Sequence, residues 1–208
     1  AEQALATYVH DNLIAGQKAL MRGLACVALV AATPLILAAQ TRERCELVPR
    51  TTTKLTRIET PGGQGNVFVG GGVDVRCPSK DVTLMSDSLE SYGDDGRLLL
   101  FGRVRYNEPR LSLTSDFLTY DQRDERVFAH GNVNARLPNG STMRGPADEY
   151  FRAVPGVRTV PRLNATNRPT ITIAPRDTAA QDTVPTKVVA NHVLMLGDSL
   201  VYAGGQVE

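Results

Sequence analysis

The chain has 208 residues, 42% hydrophobic and 22% charged, which suits one globular domain, or one domain plus an appendage, and excludes disorder for most of its length. Its 23 basic and 22 acidic residues give a formal charge of +1, so net charge does not bind it to nucleic acid or to an anionic membrane. Six Tyr, five Phe and no Trp argue against a base-stacking platform, and nucleic acid is not expected as a partner.

From Gly23 to Ala39 seventeen residues run without a charge, behind Lys18 and Arg22. A basic flank, an apolar run and a small-residue end describe an export signal. The run sits at the lower limit for a spanning helix, about 17–25 residues. Thr33–Pro34 would interrupt a permanent span, and cleavage after Ala39 would leave Leu37 where a small residue is preferred. Residues 21–40 are therefore read as a signal peptide or a retained anchor helix, with both open. Residues 1–20, upstream of Met21, are read as an extension of doubtful origin, and 41–65 as a linker. Cys26 lies within the apolar run. Cys45 and Cys77 enclose a 31-residue loop and form a candidate disulfide. Such a bond would restrict the unfolded chain by about 3–4 kcal/mol.

Past residue 66 the chain repeats itself. Gly71-Gly72-Val73, Gly102-Arg103-Val104 and Gly131-Asn132-Val133 recur at intervals of 31 and 29 residues, and Gly205-Gln206-Val207 opens a further unit. Around each marker every second residue is apolar or small: Val67, Val69, Val73 and Val75; Leu98, Leu100, Val104 and Tyr106; Val127, Ala129, Val133 and Ala135; then Val201, Ala203 and Val207. The opposite phase is polar, with Arg103, Arg105 and Asn107 in one row and His130, Asn132 and Asn134 in the next. Period two over nine residues means a strand with one dry and one wet face, and a helix is excluded.

A second strand type lies between the markers. Val82 to Asp87 is similar to Leu111 to Asp116, and Ala147-Asp148 and Ala190-Asn191 are shorter versions. Asp87 and Asp116 precede their glycine marker by 15 residues, and Asn191 by 14. Asp-Gly at 95–96 and Asn-Gly at 139–140 supply hairpin turns. The expected fold class is all-β: an antiparallel meander over 66–208, with an irregular, proline-rich insertion at about 152–187 in which only Thr170–Ile173 looks like a strand. The pattern is still running at Glu208, so further strands are expected beyond it.

Units of the form Asp, then Tyr, then apolar alternation ending in Gly-x-Val resemble the OstA-like proteins of lipopolysaccharide transport, the LptA/LptC family. Asp87 to Val104 and Asp116 to Val133 carry the resemblance, which covers about 66–151 and 187–208. It implies a stacked, twisted β-jellyroll whose two sheets form a V, located in the periplasm. It also implies lipopolysaccharide or a related lipid as cargo, held by its acyl chains, and like domains joined through edge strands. An inner-membrane ABC transporter and an outer-membrane translocon are implied as further partners. Neither catalysis nor a cofactor is implied.

The groove candidates are Val69, Val73, Val75, Val82, Leu84, Leu98, Leu100, Val104, Tyr106, Leu111, Leu113, Val127 and Val133. Taken singly, each reads more simply as core; the trough reading needs them to leave room for a guest. No catalytic or metal constellation stands out: His10, His130 and His192 lack ligand spacing, and Asp87 and Asp116 read as acceptors of backbone N–H at strand ends. The marker glycines read as bulges or close backbone approaches, and Arg103, Arg105 and Arg110 as a basic cluster on a solvated face. The competing function is a structural or adhesive β-repeat protein of the cell envelope with a filled interior.

Overall fold

A computed structural model describes residues 46–208 apart from 52, 53, 62, 176–183 and 199. The signal or anchor segment, the upstream extension and Cys45 lie outside the described residues. Within them the chain is all-β, a 15-stranded antiparallel sheet. One 3-10 turn at Pro78–Lys80 interrupts it, and no described helix is long and apolar enough to cross a membrane.

Six short strands come first: β1 (Val48–Pro49), β2 (Lys54–Ile58), β3 (Asn66–Gly70), β4 (Val73–Cys77), β5 (Val82–Ser86) and β6 (Ser88–Tyr92). Four long ones follow: β7 (Arg97–Glu108), β8 (Leu111–Asp121), β9 (Arg126–Arg136) and β10 (Thr142–Phe151). The series closes with β11 (Arg162–Thr166), β12 (Thr170–Ile173), β13 (Thr186–Val189), β14 (His192–Leu196) and β15 (Leu200–Gly204). The expected linker thus contributes two paired strands, since β1 pairs with β4 and β2 with β3.

Register divides the sheet into two leaves. The first half of β7 pairs with β6 and its second half with β5. At the other side, Thr142–Arg144 of β10 pair with β12 and Ala147–Phe151 with β11. Each long strand therefore serves both leaves, and a line of corners separates them. Leaf one contains β1, β4, β5, β12, β13 and one half of each long strand. Leaf two contains β2, β3, β6, β11, β14, β15 and the other halves.

The repeated glycine makes the corner. Gly102 and Arg103 have φ of +72° and +47°, Gly131 and Asn132 of +76° and +48°, and Gly205 and Gln206 of +69° and +47°. Two left-handed residues in succession insert one extra residue and bend the strand, as a β-bulge does. Registers shift there, between Phe101 and Val104 and between Thr114 and Phe117. The aspartate of the preceding strand lies over the glycine: a Cβ on Gly102 would stand 2.3 Å from Asp87 Oδ2, and one on Gly131 2.6 Å from Asp116 Oδ2. Asn191 occupies the same place beside Gly205. The constant Asp-to-Gly interval thus records a contact.

The aspartates do not take the backbone N–H groups expected of them. Asp87 Oδ1 accepts from Arg103 Nε at 2.8 Å and Asp116 Oδ2 from Asn132 Nδ2 at 2.7 Å. The Asp87 N–H is itself a donor, to the carbonyls of Phe101 and Gly102. The serine before each aspartate turns inward, and Ser86 and Ser115 hydroxyls donate to the carbonyls of Ser88 and Phe117.

The stretch expected to be irregular is in part regular. It holds β11, β12 and the start of β13, with a corner at Asn167 and Arg168 (φ +64° and +62°). Asparagine tolerates the left-handed region better than most side chains, so this corner carries no glycine and is invisible to a glycine search.

Replacing Gly131 by Ala adds both a left-handed φ penalty and a collision with Asp116, and should lower stability by about 2–4 kcal/mol. Gly156→Ala, with φ +75° but open space around it, should cost about 1 kcal/mol. Urea midpoints of the two variants measure the difference, and equal losses would remove the packing role assigned to the aspartate.

Candidate functional site: the seam between the leaves

The inward side chains of both leaves form one apolar cluster. Leaf one contributes Val73, Val75, Val82, Leu84, Val104, Tyr106, Leu111, Leu113 and Val133, and leaf two Leu98, Leu100 and Val127. None of these twelve groove candidates is more than 6% exposed. Val69, the thirteenth, is partly buried and packs against the cluster. The sequence reading missed part of the matching wall from the second leaf: Leu89, Leu118, Leu163 and Val193, with Tyr120 and Tyr150. The signal was present but shifted. After Ser86 and Ser115 the next buried residues are Leu89 and Leu118, three positions on rather than two, so strict alternation loses the strand at each corner.

Most side chains of both walls are at or below 2% exposure, so solvent does not enter the seam along the long strands. At its β12–β15 end a cavity of about 270 Å³ lies between the leaves, lined by Ile173, Met195 and Val201 among others. The trough expected to stand vacant is occupied by its own side chains. Tyr106 of leaf one meets Tyr120 of leaf two edge to face, ring centroids 6.3 Å apart.

The rim away from the corners is closed by charge. Arg152, after β10, donates through Nε to Glu108 Oε2 and through Nη1 to Glu125 Oε2 at 3.1 Å. Its Nη2 reaches the Lys80 carbonyl at 3.1 Å, and Lys80 Nζ contacts Glu125 Oε1. Glu108 ends the leaf-one half of β7 and Lys80 the turn between β4 and β5. Glu125 and Arg152 belong to leaf-two ends, so the network ties one leaf to the other. Three tyrosines complete it. Tyr106 and Tyr150 hydroxyls donate to Glu108 and the Tyr120 hydroxyl to Glu125 at 2.9 Å. Burial, with the adjacent glutamates, pushes all three phenols above their ordinary range. Burial works against the charge on Arg152, but Tyr106, Glu108 and Tyr120 raise its pKa past that cost.

One polar group in the seam has no partner. Asp148 is 1% exposed, and neither carboxylate oxygen has a hydrogen bond. Its cross-strand neighbours are Ala129 and Ala165, both fully buried. Burial raises its pKa from 3.8 to about 7.

Elsewhere, Cys77 is fully buried and disulfide-bonded, with its partner outside the described residues. Among the described residues no cluster of His, Cys, Asp and Glu could hold a metal ion. The basic cluster read from sequence comes apart. Arg103 pairs with Asp87 and Arg110 with Asp198 at 3.7 Å, while Arg105 pairs with neither.

Two predictions follow from this geometry. Arg152→Met leaves Glu108 and Glu125 short of their counter-charge and should cost about 3–5 kcal/mol; adding Glu108→Gln and Glu125→Gln should recover much of it. Denaturant titration checks both, and a neutral single variant would remove the clamp. Because the Asp148 carboxyl has a higher pKa folded than unfolded, its contribution is greatest below pH about 4 and falls up to pH about 7. Asp148→Asn should therefore resemble the parent at pH 4 and exceed its stability at pH 8 by up to about 4 kcal/mol. A stability difference independent of pH would refute that.

No protein-family model matches the chain, and a search of curated proteins finds no match. It is an all-antiparallel β-sheet protein without a family assignment.

Proposed function

We propose that this chain is a periplasmic carrier of lipopolysaccharide or a related many-chained lipid, with the acyl chains taken between the two leaves and no reaction catalysed. The observation that carries the reading is the seam itself: an apolar face supplied by both leaves, continuous from Val73 and Val75 near one edge to Val193 and Met195 near the other. Each methylene that enters such a seam contributes about 0.8 kcal/mol. Apolar contact is also non-directional, so a held chain can still slide. The repeat signature shared with the OstA-like proteins supports the same reading.

The sheet ends support the partners. Val48, Leu55 and Ile58 are exposed on β1 and β2, and Leu200 and Tyr202 on β15. Soluble proteins usually blunt such edges with charge or bulges, whereas a bridge of like domains would use them by strand addition. In this proposal one end faces an inner-membrane ABC transporter and the other an outer-membrane translocon. The closed seam adds a condition absent from the open-trough expectation: the leaves must part, and the Arg152 network must give way, before a chain enters.

A second reading is favoured by one observation, the solvent-tight interior. It makes the chain a structural or adhesive envelope repeat, with no lipid cargo.

Incorporation of the near-isosteric diazirine analogues of leucine and methionine tests the two. Irradiation in cells should attach lipopolysaccharide at Leu100, Leu113, Leu118 or Met143, each adduct being placed by fragment-ion sequencing. Outward Met85 and Leu99 should stay unlabelled. Adducts confined to outward positions, or none at all, favour the filled repeat and reject the carrier.

A further inference from the structure

Three arginines that are distant in sequence are brought together on the outer face of leaf one. Two cross-strand rows run over this face. One passes from Met85 through Arg105, Thr114 and Asn134 to Arg144. The other passes from Thr83 through Asn107, Ser112 and Arg136 to Thr142. Arg105, Arg136 and Arg144 line a shallow cleft between them. With strands about 4.8 Å apart, Arg105 and Arg144 stand about 14 Å apart, with Arg136 near Arg144 on the adjacent strand.

These three differ from most other arginines of the sheet. Arg50, Arg76, Arg103, Arg110, Arg126 and Arg168 each face a carboxylate. Arg105, Arg136 and Arg144 are exposed and have no ion pair among the described residues. Neither row contains an Asp or Glu from β5 to β12. Like charges held near one another on a sheet repel; the carboxylates that share a pocket with Arg105, Asp74 and Asp87, face Arg50 and Arg103. With a chain charge of only +1, the positive field is local to this surface.

The cations are separated by the hydroxyls and amides of Ser112, Thr114, Thr142, Asn107 and Asn134, with Leu113 and Ala135 also lining the cleft. Such groups both donate and accept, which suits the hydroxyls of a sugar. Aromatic rings are absent from the cleft; Phe101, Phe117 and Phe128 belong to leaf two, so bases would find nothing to stack on.

We propose that the outer face of leaf one, built on Arg105, Arg136 and Arg144, binds an anionic saccharide lying flat across β7 to β10. The site lies outside the seam and does not depend on what the seam holds.

Fluorescence polarisation with labelled oligogalacturonate tests it on the full chain. Binding should be measurable at low salt and weaken as salt rises. The variant R105Q/R136Q/R144Q should bind about tenfold more weakly. R103Q/R110Q/R168Q removes the same charge from paired positions and should bind as the parent does. T114A/N134A, with every charge kept, should lose about threefold. All of these side chains are exposed; if a triple variant fails to fold, the three single variants of the face should each lose about twofold to threefold. Absence of binding by the parent overturns the proposal, as does an equal loss in both triple variants. A single-stranded oligonucleotide that binds more tightly than the saccharide at equal charge also overturns it.

Discussion

The fold depends on one local constraint, a pair of consecutive left-handed residues lying under the side chain of an aspartate or asparagine from the strand before. A flat strand of twelve residues can belong to only one sheet face. Bent at such a pair, β7 donates its first five residues to one leaf and its last five to the other. Such a pair, with its Asp or Asn, recurs at 102–103, 131–132 and 205–206, and a left-handed pair also bends the chain at 167–168. Recurrence aligns the corners, and aligned corners let two leaves bury a common seam without an α-helix among the described residues.

Much of this is legible in the sequence. Alternation identified the strands, the glycine markers identified where they bend, and Asp-Gly and Asn-Gly identified the hairpins. What was not legible follows from chemistry that sequence pattern does not encode. Asn167 adopts the conformation of a marker glycine without being one, and so hid β11 inside an apparent insertion, where only Thr170–Ile173 reads as a strand. The phase slip after Ser86 and Ser115 hid Leu89 and Leu118, because a search for period two stops where the period becomes three. The seam residues were found, but whether two apolar walls stand apart or touch is a question of volume, which neither wall answers alone.

Charge shows the same division. Arg103, Arg105 and Arg110 are neighbours in sequence and strangers in the fold, since Asp87 takes the first and Asp198 the last. Strand register instead places Arg105 with Arg136 and Arg144. The Glu108–Arg152–Glu125 network is likewise assembled only by the pairing of β7 to β10. No segment of the chain announces it.

The positions of corner and clamp give any opening of the leaves a handedness. Corners run along one margin like the spine of a book, where backbone continues uninterrupted from page to page. Opposite them, among the described residues, the leaves are joined through side chains: Arg152 between two glutamates, with Arg110 and Asn139 reaching Asp198 farther along. Pages bound this way can turn from the fore-edge alone. A molecule admitted between them would keep its tail toward the binding and leave its head outside, in the same sense in every repeat of the stack.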